Sequence, residues 1–127
     1  MYEHNENQMI LPHEFFLPFG GRLNPDNRWV VMASLIPWNE VESAYIKTLG
    51  DTSQGSKAYN VRLALGSLII KERLGLSDEE TVEAITENPY LQYFIGLHSF
   101  QETAPFHASS MTHFRKRFDL AFINKLN

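Results

Sequence analysis

Most apolar positions of this chain recur at spacings of three and four, the period at which side chains share one face of an α-helix. Trp38, Val41, Tyr45 and Leu49 form one such stripe, and Met111, Phe114, Phe118, Phe122 and Leu126 form another. Between them, from about Ala58 to Leu74, Val61, Leu63, Leu65, Leu68, Ile69 and Ile70 fall on most faces, which predicts a central helix surrounded by others. Gly66 in the middle of that run costs about 1 kcal/mol in helix propensity, and close approach of a neighbouring helix explains it. Residues 1–23 break the period. There Pro12, Pro18 and the Gly20-Gly21 pair are mixed with Phe15, Phe16, Leu17 and Phe19, which predicts an extended arm packed on the domain.

Polar punctuation divides the periodic stretches. Asn24-Pro25-Asp26 reads as a helix start, with Asn24 the cap, Pro25 in the first helical position and Asp26 where the helix dipole favours an anion. That helix runs to about Ile36, because Pro37 restricts the residue before it and can itself open a new helix carrying Trp38. Gly50 ends the second helix, and Asp51–Ser56 is the expected mobile loop and the one candidate linker. Gly75 closes the central helix, and Ser77 with Glu80 opens the next through a capping box. Asn88-Pro89 starts a short helix through Phe94 that Gly96 closes, a polar loop with Pro105 covers 97–108, and Ser109 or Ser110 caps the last helix. The prediction is an all-α compact bundle of five or six helices with an extended N-terminal arm. It contains a helix-turn-helix-like pair between Leu76 and Phe94, for which ordinary core packing is the favoured reading.

At 127 residues with 43% hydrophobic and 20% charged positions, the chain fits one folded domain spanning 1–127. It has no cysteine, which excludes disulfides and thiolate metal sites and fits a reducing, cytoplasmic setting. Apolar runs such as Leu68-Ile69-Ile70, or the five residues Trp29–Ala33, are far short of a membrane span, and the acidic, polar amino terminus predicts no secretion signal. The formal net charge of −4 weighs against nucleic-acid binding, but the charges are segregated. Lys57, Arg62, Lys71 and Arg73 cluster in one segment, and Arg115, Lys116, Arg117 and Lys125 in another. Between them residues 77–108 hold Asp78, Glu79, Glu80, Glu83, Glu87 and Glu102 and no Lys or Arg.

Candidate chemistry follows from those clusters. In His113-Phe114-Arg115-Lys116-Arg117 the residues His113, Lys116 and Arg117 project away from the apolar stripe, where phosphates could meet them; the bland alternative is a solvated helix face. Arg115 falls nearer the apolar edge, so it is also a candidate to pair with a carboxylate of the acidic segment. The second helix of the helix-turn-helix-like pair has no Lys or Arg, and only Gln92 could read an adenine edge. Glu79, Glu80, Glu83 and Glu87 suit a solvated helix face better than a metal site. His4, His13, His98, His107 and His113 include no pair at metal-ligand spacing, and no hydrolase, nucleotide-binding or zinc motif is present. No catalytic or metal-binding residue is assigned.

Six blocks carry a family resemblance by their order and spacing: Leu17–Gly21, Asp26–Val30, Leu65–Lys71, Leu76–Val82, Asn88–Phe94 and Met111–Arg117. Together they resemble the amino-terminal domain of InsH-type insertion-sequence transposases, the group of insertion sequence five, over essentially the whole chain. The resemblance implies a helical domain that precedes a ribonuclease-H-like catalytic domain absent from this chain. The divalent metals belong to that missing domain, so no cofactor is expected here. What it implies for this domain is recognition of terminal inverted repeats, pairing of subunits, or both.

Two functional readings fit these residues. In the first, a DNA-binding module meets transposon ends with Arg62, Lys71, Arg73, His113, Arg115, Lys116 and Arg117, and reads a base with Gln92. Five phosphate contacts would give a log–log salt slope of about −4.5. In the second, the aromatic-rich surface docks onto another copy, as a homo-oligomer, or onto the missing catalytic domain. An independent enzyme is a poor third, because no catalytic arrangement supports it.

Overall fold

The computed structural model describes residues 10–49 and 60–118 of the chain. Within them lie six α-helices: α1 (Arg28–Leu35), α2 (Trp38–Leu49), α3 (Val61–Leu74), α4 (Asp78–Glu87), α5 (Pro89–Phe94) and α6 (Ser110–Arg117); the arm expected to be extended also holds two short 3-10 turns, Pro12–Glu14 and Pro18–Gly20. Among the described residues there is no strand, only an isolated parallel bridge between Phe16 and Ser99. The all-α bundle expected from the periodicity is the architecture observed. Phe122, Leu126, Gly50, Lys57, Lys125, His4 and the Asp51–Ser56 loop lie outside the described residues.

α3 is the hub, packing against α2, α4, α5 and α6. Val61, Leu65 and Ile70 are completely buried and Ala64 nearly so, as a helix surrounded by others requires. Gly66 permits the contact with α5: a Cβ there would stand 3.1 Å from Ile95 Cγ2 and 3.5 Å from Phe94 Cδ2. Phe94 packs in T-shaped contacts with Trp29 and Trp38, with ring centroids 5.2 and 5.8 Å away. This aromatic cluster joins α1, α2 and α5, and the Trp38 indole donates to the Ala33 carbonyl at 3.0 Å.

Helix ends follow the local chemistry with two shifts. Asn27, not Asn24, caps α1, accepting from the Trp29 amide at 2.8 Å. Asn24 instead closes a local turn onto the Asp26 amide, and its own amide donates to the Tyr90 hydroxyl at 2.8 Å. At α6 Ser109 makes no side-chain cap bond; instead His107 Nδ1, two residues earlier, accepts from the Ser109 amide at 3.1 Å. Three further signals among the described residues hold. Gly75 is left-handed at φ 66°, Ser77 and Glu80 exchange the two bonds of a capping box, and Asn88 caps α5 through the Tyr90 and Leu91 amides.

The arm is tied down from residue 10 onward. The Tyr93 hydroxyl donates to the Ile10 carbonyl at 2.8 Å, and Phe15 is buried with its ring in an edge contact with Tyr93. The Phe16 backbone bonds to His98 and Phe100 in the 97–108 loop, so arm and loop stabilise each other.

Candidate nucleic-acid interface

The eight residues singled out from sequence separate into buried and surface groups. Arg62 is 2% exposed. Its Nε donates to the Phe94 carbonyl and its Nη2 to the Tyr93 carbonyl, both at 2.9 Å, while the guanidinium lies over the Trp38 and Tyr93 rings at 5.1 and 5.2 Å. Burial pushes its pKa down, and Tyr93 opposes that shift. Arg62 therefore cannot meet a phosphate in this fold; it closes the carboxyl end of α5, whose last carbonyls need donors.

Gln92 is also removed from the interface, because it is completely buried. Its amide nitrogen donates to the carbonyls of Ile85, Thr86 and Gln101, and its oxygen accepts from the Gln101 amide at 2.9 Å. Every polar atom that could face a base edge is used to fasten the 97–108 loop to α4 and α5. α5 has only six residues, and Leu91, Tyr93 and Phe94 are buried with Gln92. The helix-turn-helix-like pair is thus a packing unit, and α5 is not a recognition helix.

Surface chemistry concentrates on α6. Met111, Phe114 and Phe118 are buried, which turns His113 and Lys116 outward at 100° per residue. Phe114 meets Phe106 edge-on at 5.2 Å, and Phe118 stacks on Tyr45 at 4.8 Å, so the helix is held on two sides by aromatic contacts. His113, Arg115, Lys116 and Arg117 are all exposed. Arg117 lies on the α2 flank: burial raises the Tyr45 pKa and the positive charge of Arg117 lowers it in part. Arg115 lies on the α4 flank, where its Nη1 donates to Asp78 Oδ1 at 2.7 Å. That pairing with the acidic segment is the alternative its position at the apolar edge had offered.

Lys71 and Arg73 differ although both end α3. Lys71 Nζ donates to the Leu76 carbonyl at 2.6 Å and stands 3.9 Å from the same Asp78 oxygen that Arg115 holds. Arg73 is exposed and makes no ion pair with another described residue. Asp78 sits in the first turn of α4, where an acid suits the helix dipole, and only the fold brings Lys71 of α3 and Arg115 of α6 to it.

Glu79, Glu80, Glu83 and Glu87 are exposed on α4. Hydrogen bonding to the Ser77 amide pulls the Glu80 pKa down, a capping effect. Among the described residues no group of three His, Cys, Asp or Glu side chains is placed to hold a metal ion, and no helix is long and apolar enough to cross a membrane. The geometry offers cations and hydrogen-bond donors on α6, which suit anion binding.

Comparison with known proteins adds a family to this geometry. The family described as "Transposase domain (DUF772)" matches residues 18–117. Over 95 residues, 75% of the chain, the sequence is 40% identical to "Uncharacterized protein ORF8 in nfe locus" of Rhizobium meliloti. That match covers 45% of the relative, so the chain spans less than half of its length. No solved structure matches.

Proposed function

This chain belongs to the transposase domain family (DUF772), and we propose from that premise that it binds transposon-end DNA during transposition through the outward face of α6. The observation that carries this reading is a helix whose apolar side is locked into the core while His113, Lys116 and Arg117 stand exposed beyond it. Lys116 and Arg117 supply phosphate contacts, and His113 supplies a further polar contact. The six sequence blocks support placing the domain with the InsH-type group. In this reading the domain binds and does not cut, and cleavage belongs to a metal-dependent partner domain.

The test is binding to a duplex carrying the element's terminal repeat, against a scrambled duplex, between 50 and 200 mM salt. Replacing Lys116 and Arg117 together by Ala removes two phosphate contacts and should flatten the log–log salt slope by about 1.8. An unchanged slope, or binding that ignores salt, would sink the reading.

A second reading has its own observation. Phe19 is fully exposed and adopts a left-handed backbone at φ 62°, ψ 24°, a conformation costly for a bulky residue. Phe16 and Leu35 are exposed as well, at 67% and 74%. Such residues suit an interaction module that pairs subunits or docks on a catalytic domain. Light scattering across protein concentration separates the two, since a strict monomer that binds end DNA leaves the second reading without support.

A further inference from the structure

Three helices meet at one carboxylate. Asp78 Oδ1 accepts from Arg115 of α6 at 2.7 Å and stands 3.9 Å from Lys71 Nζ of α3, while Asp78 itself begins α4. The side chains of Lys71, Asp78 and Arg115 keep 29%, 23% and 44% of their exposure, so solvent and ligands reach all three. Arg115 also holds Thr112 Oγ1 at 3.3 Å, which orients its guanidinium along the exposed side of α6. Two cations from separate helices converge on one oxygen, the arrangement that would equally receive a phosphate oxygen.

We infer that Asp78 is a built-in competitor for DNA phosphate, occupying Lys71 and Arg115 and so holding down the affinity of the α6 face. The inference rests on the DNA-binding reading of α6 and adds to it a residue that limits binding. A phosphate that takes the Nη1 edge of Arg115 must displace Asp78 from it. Because the pair is partly exposed, displacement is modest in cost, and the competition tunes affinity without blocking it.

The test compares Asp78→Asn with the unaltered chain on terminal-repeat duplex at 50 and 200 mM salt. Asp78→Asn should bind about fivefold tighter at the lower salt. Its log–log salt slope should steepen by up to about 1.8 as Lys71 and Arg115 become free for phosphate. Glu79→Gln removes the same charge one residue away, where no such pair forms, and should change binding far less. In an Arg115→Ala background the gain from Asp78→Asn should shrink to the part that Lys71 carries. Thermal melting confirms that each variant folds, and Asp78→Ser, a neutral residue suited to a helix start, replaces Asp78→Asn if the latter does not.

If the unaltered chain binds and Asp78→Asn binds equally, the competitor role is overturned and the α6 reading stands. If Glu79→Gln gains as much as Asp78→Asn, the effect is one of net charge and the specific competition is likewise overturned. If neither protein binds DNA at 50 mM salt, both proposals fall together.

Discussion

At the start of α3 and at the end of α6 the chain places arginines of equal formal charge in opposite surroundings. Arg62 is enclosed by Trp38, Tyr93 and the last carbonyls of α5, and its guanidinium is spent on satisfying backbone groups that water cannot reach. Arg117 and its neighbour Lys116 stand in solvent on a helix anchored from its other side. The difference teaches that a basic segment is no guide to a basic surface. Around Arg62 the sequence is apolar on nearly every face, so a long side chain is drawn inward, where unsatisfied carbonyls stabilise its charge. On α6 the apolar stripe is narrow, and the cations are left on the outside.

Breaking the buried side should have the largest effect. Arg62→Met keeps much of the apolar bulk but strips donors from the Phe94 and Tyr93 carbonyls, and should destabilise the fold by about 3 kcal/mol in chemical denaturation. Arg62→Lys should recover only part of this, because one ammonium cannot reproduce the planar fork. If Arg62→Met melts like the unaltered protein, the buried arginine is not the structural tie its geometry describes.

Gln92→Ala comes next, at about 2 kcal/mol, since it orphans the Gln101 amide and removes a donor shared by three carbonyls. Hydrogen exchange at Gln101 should quicken more than at α3. Protection unchanged at Gln101 would count against the latch.

Gly66→Ala tests how closely α5 approaches α3. The substitution improves helix propensity by about 1 kcal/mol but presses a methyl to 3.1 Å from Ile95 Cγ2, an overpacking worth about 1–3 kcal/mol. A net loss of about 1 kcal/mol is expected, and a more stable variant would show that Ile95 yields freely.

The surface side should barely register in stability. The Lys116 and Arg117 double alanine variant is expected to fall within about 0.5 kcal/mol of the unaltered protein. A loss as large as that of Arg62→Met would erase the contrast between the two regions. Smaller still is the pH response of the Glu80 cap. Its folded pKa lies below the ordinary carboxylate value, so its contribution is present above that value and lost as pH falls through the lowered one. The stability gap between the unaltered chain and Glu80→Gln should therefore narrow on acidification below about pH 4, and a gap that widens there would contradict the capping bond.

Much of the fold was legible because its signals are local. The capping box at Ser77 and Glu80, the Asn88-Pro89 helix start and the left-handed Gly75 each involve residues within a turn of one another, so sequence spacing specifies them. The α1 start was misplaced by three residues because Asn24 and Asn27 are both competent caps, and the Asn24 amide is engaged by Tyr90, 66 positions away. The candidate site was legible only on α6, where a clean apolar stripe assigns the outward residues. Gln92 had a readable warning, since it is the one amide in an otherwise apolar and aromatic helix, a setting in which a polar group is buried and bonded.

The sequence alone determined the helices, most of their ends and the outward direction of His113 and Lys116, since these depend on residues a few positions apart along one rigid element. Tertiary structure decided the rest. Only the packing of α5 against α3 delivers the Tyr93 and Phe94 carbonyls to Arg62, some 31 and 32 positions distant, and only the meeting of α3, α4 and α6 joins Arg115 to Asp78 across 37. Whether a charge satisfies the interior or faces a partner depends on which groups the fold brings within hydrogen-bond reach, and that distance is not written in the local pattern.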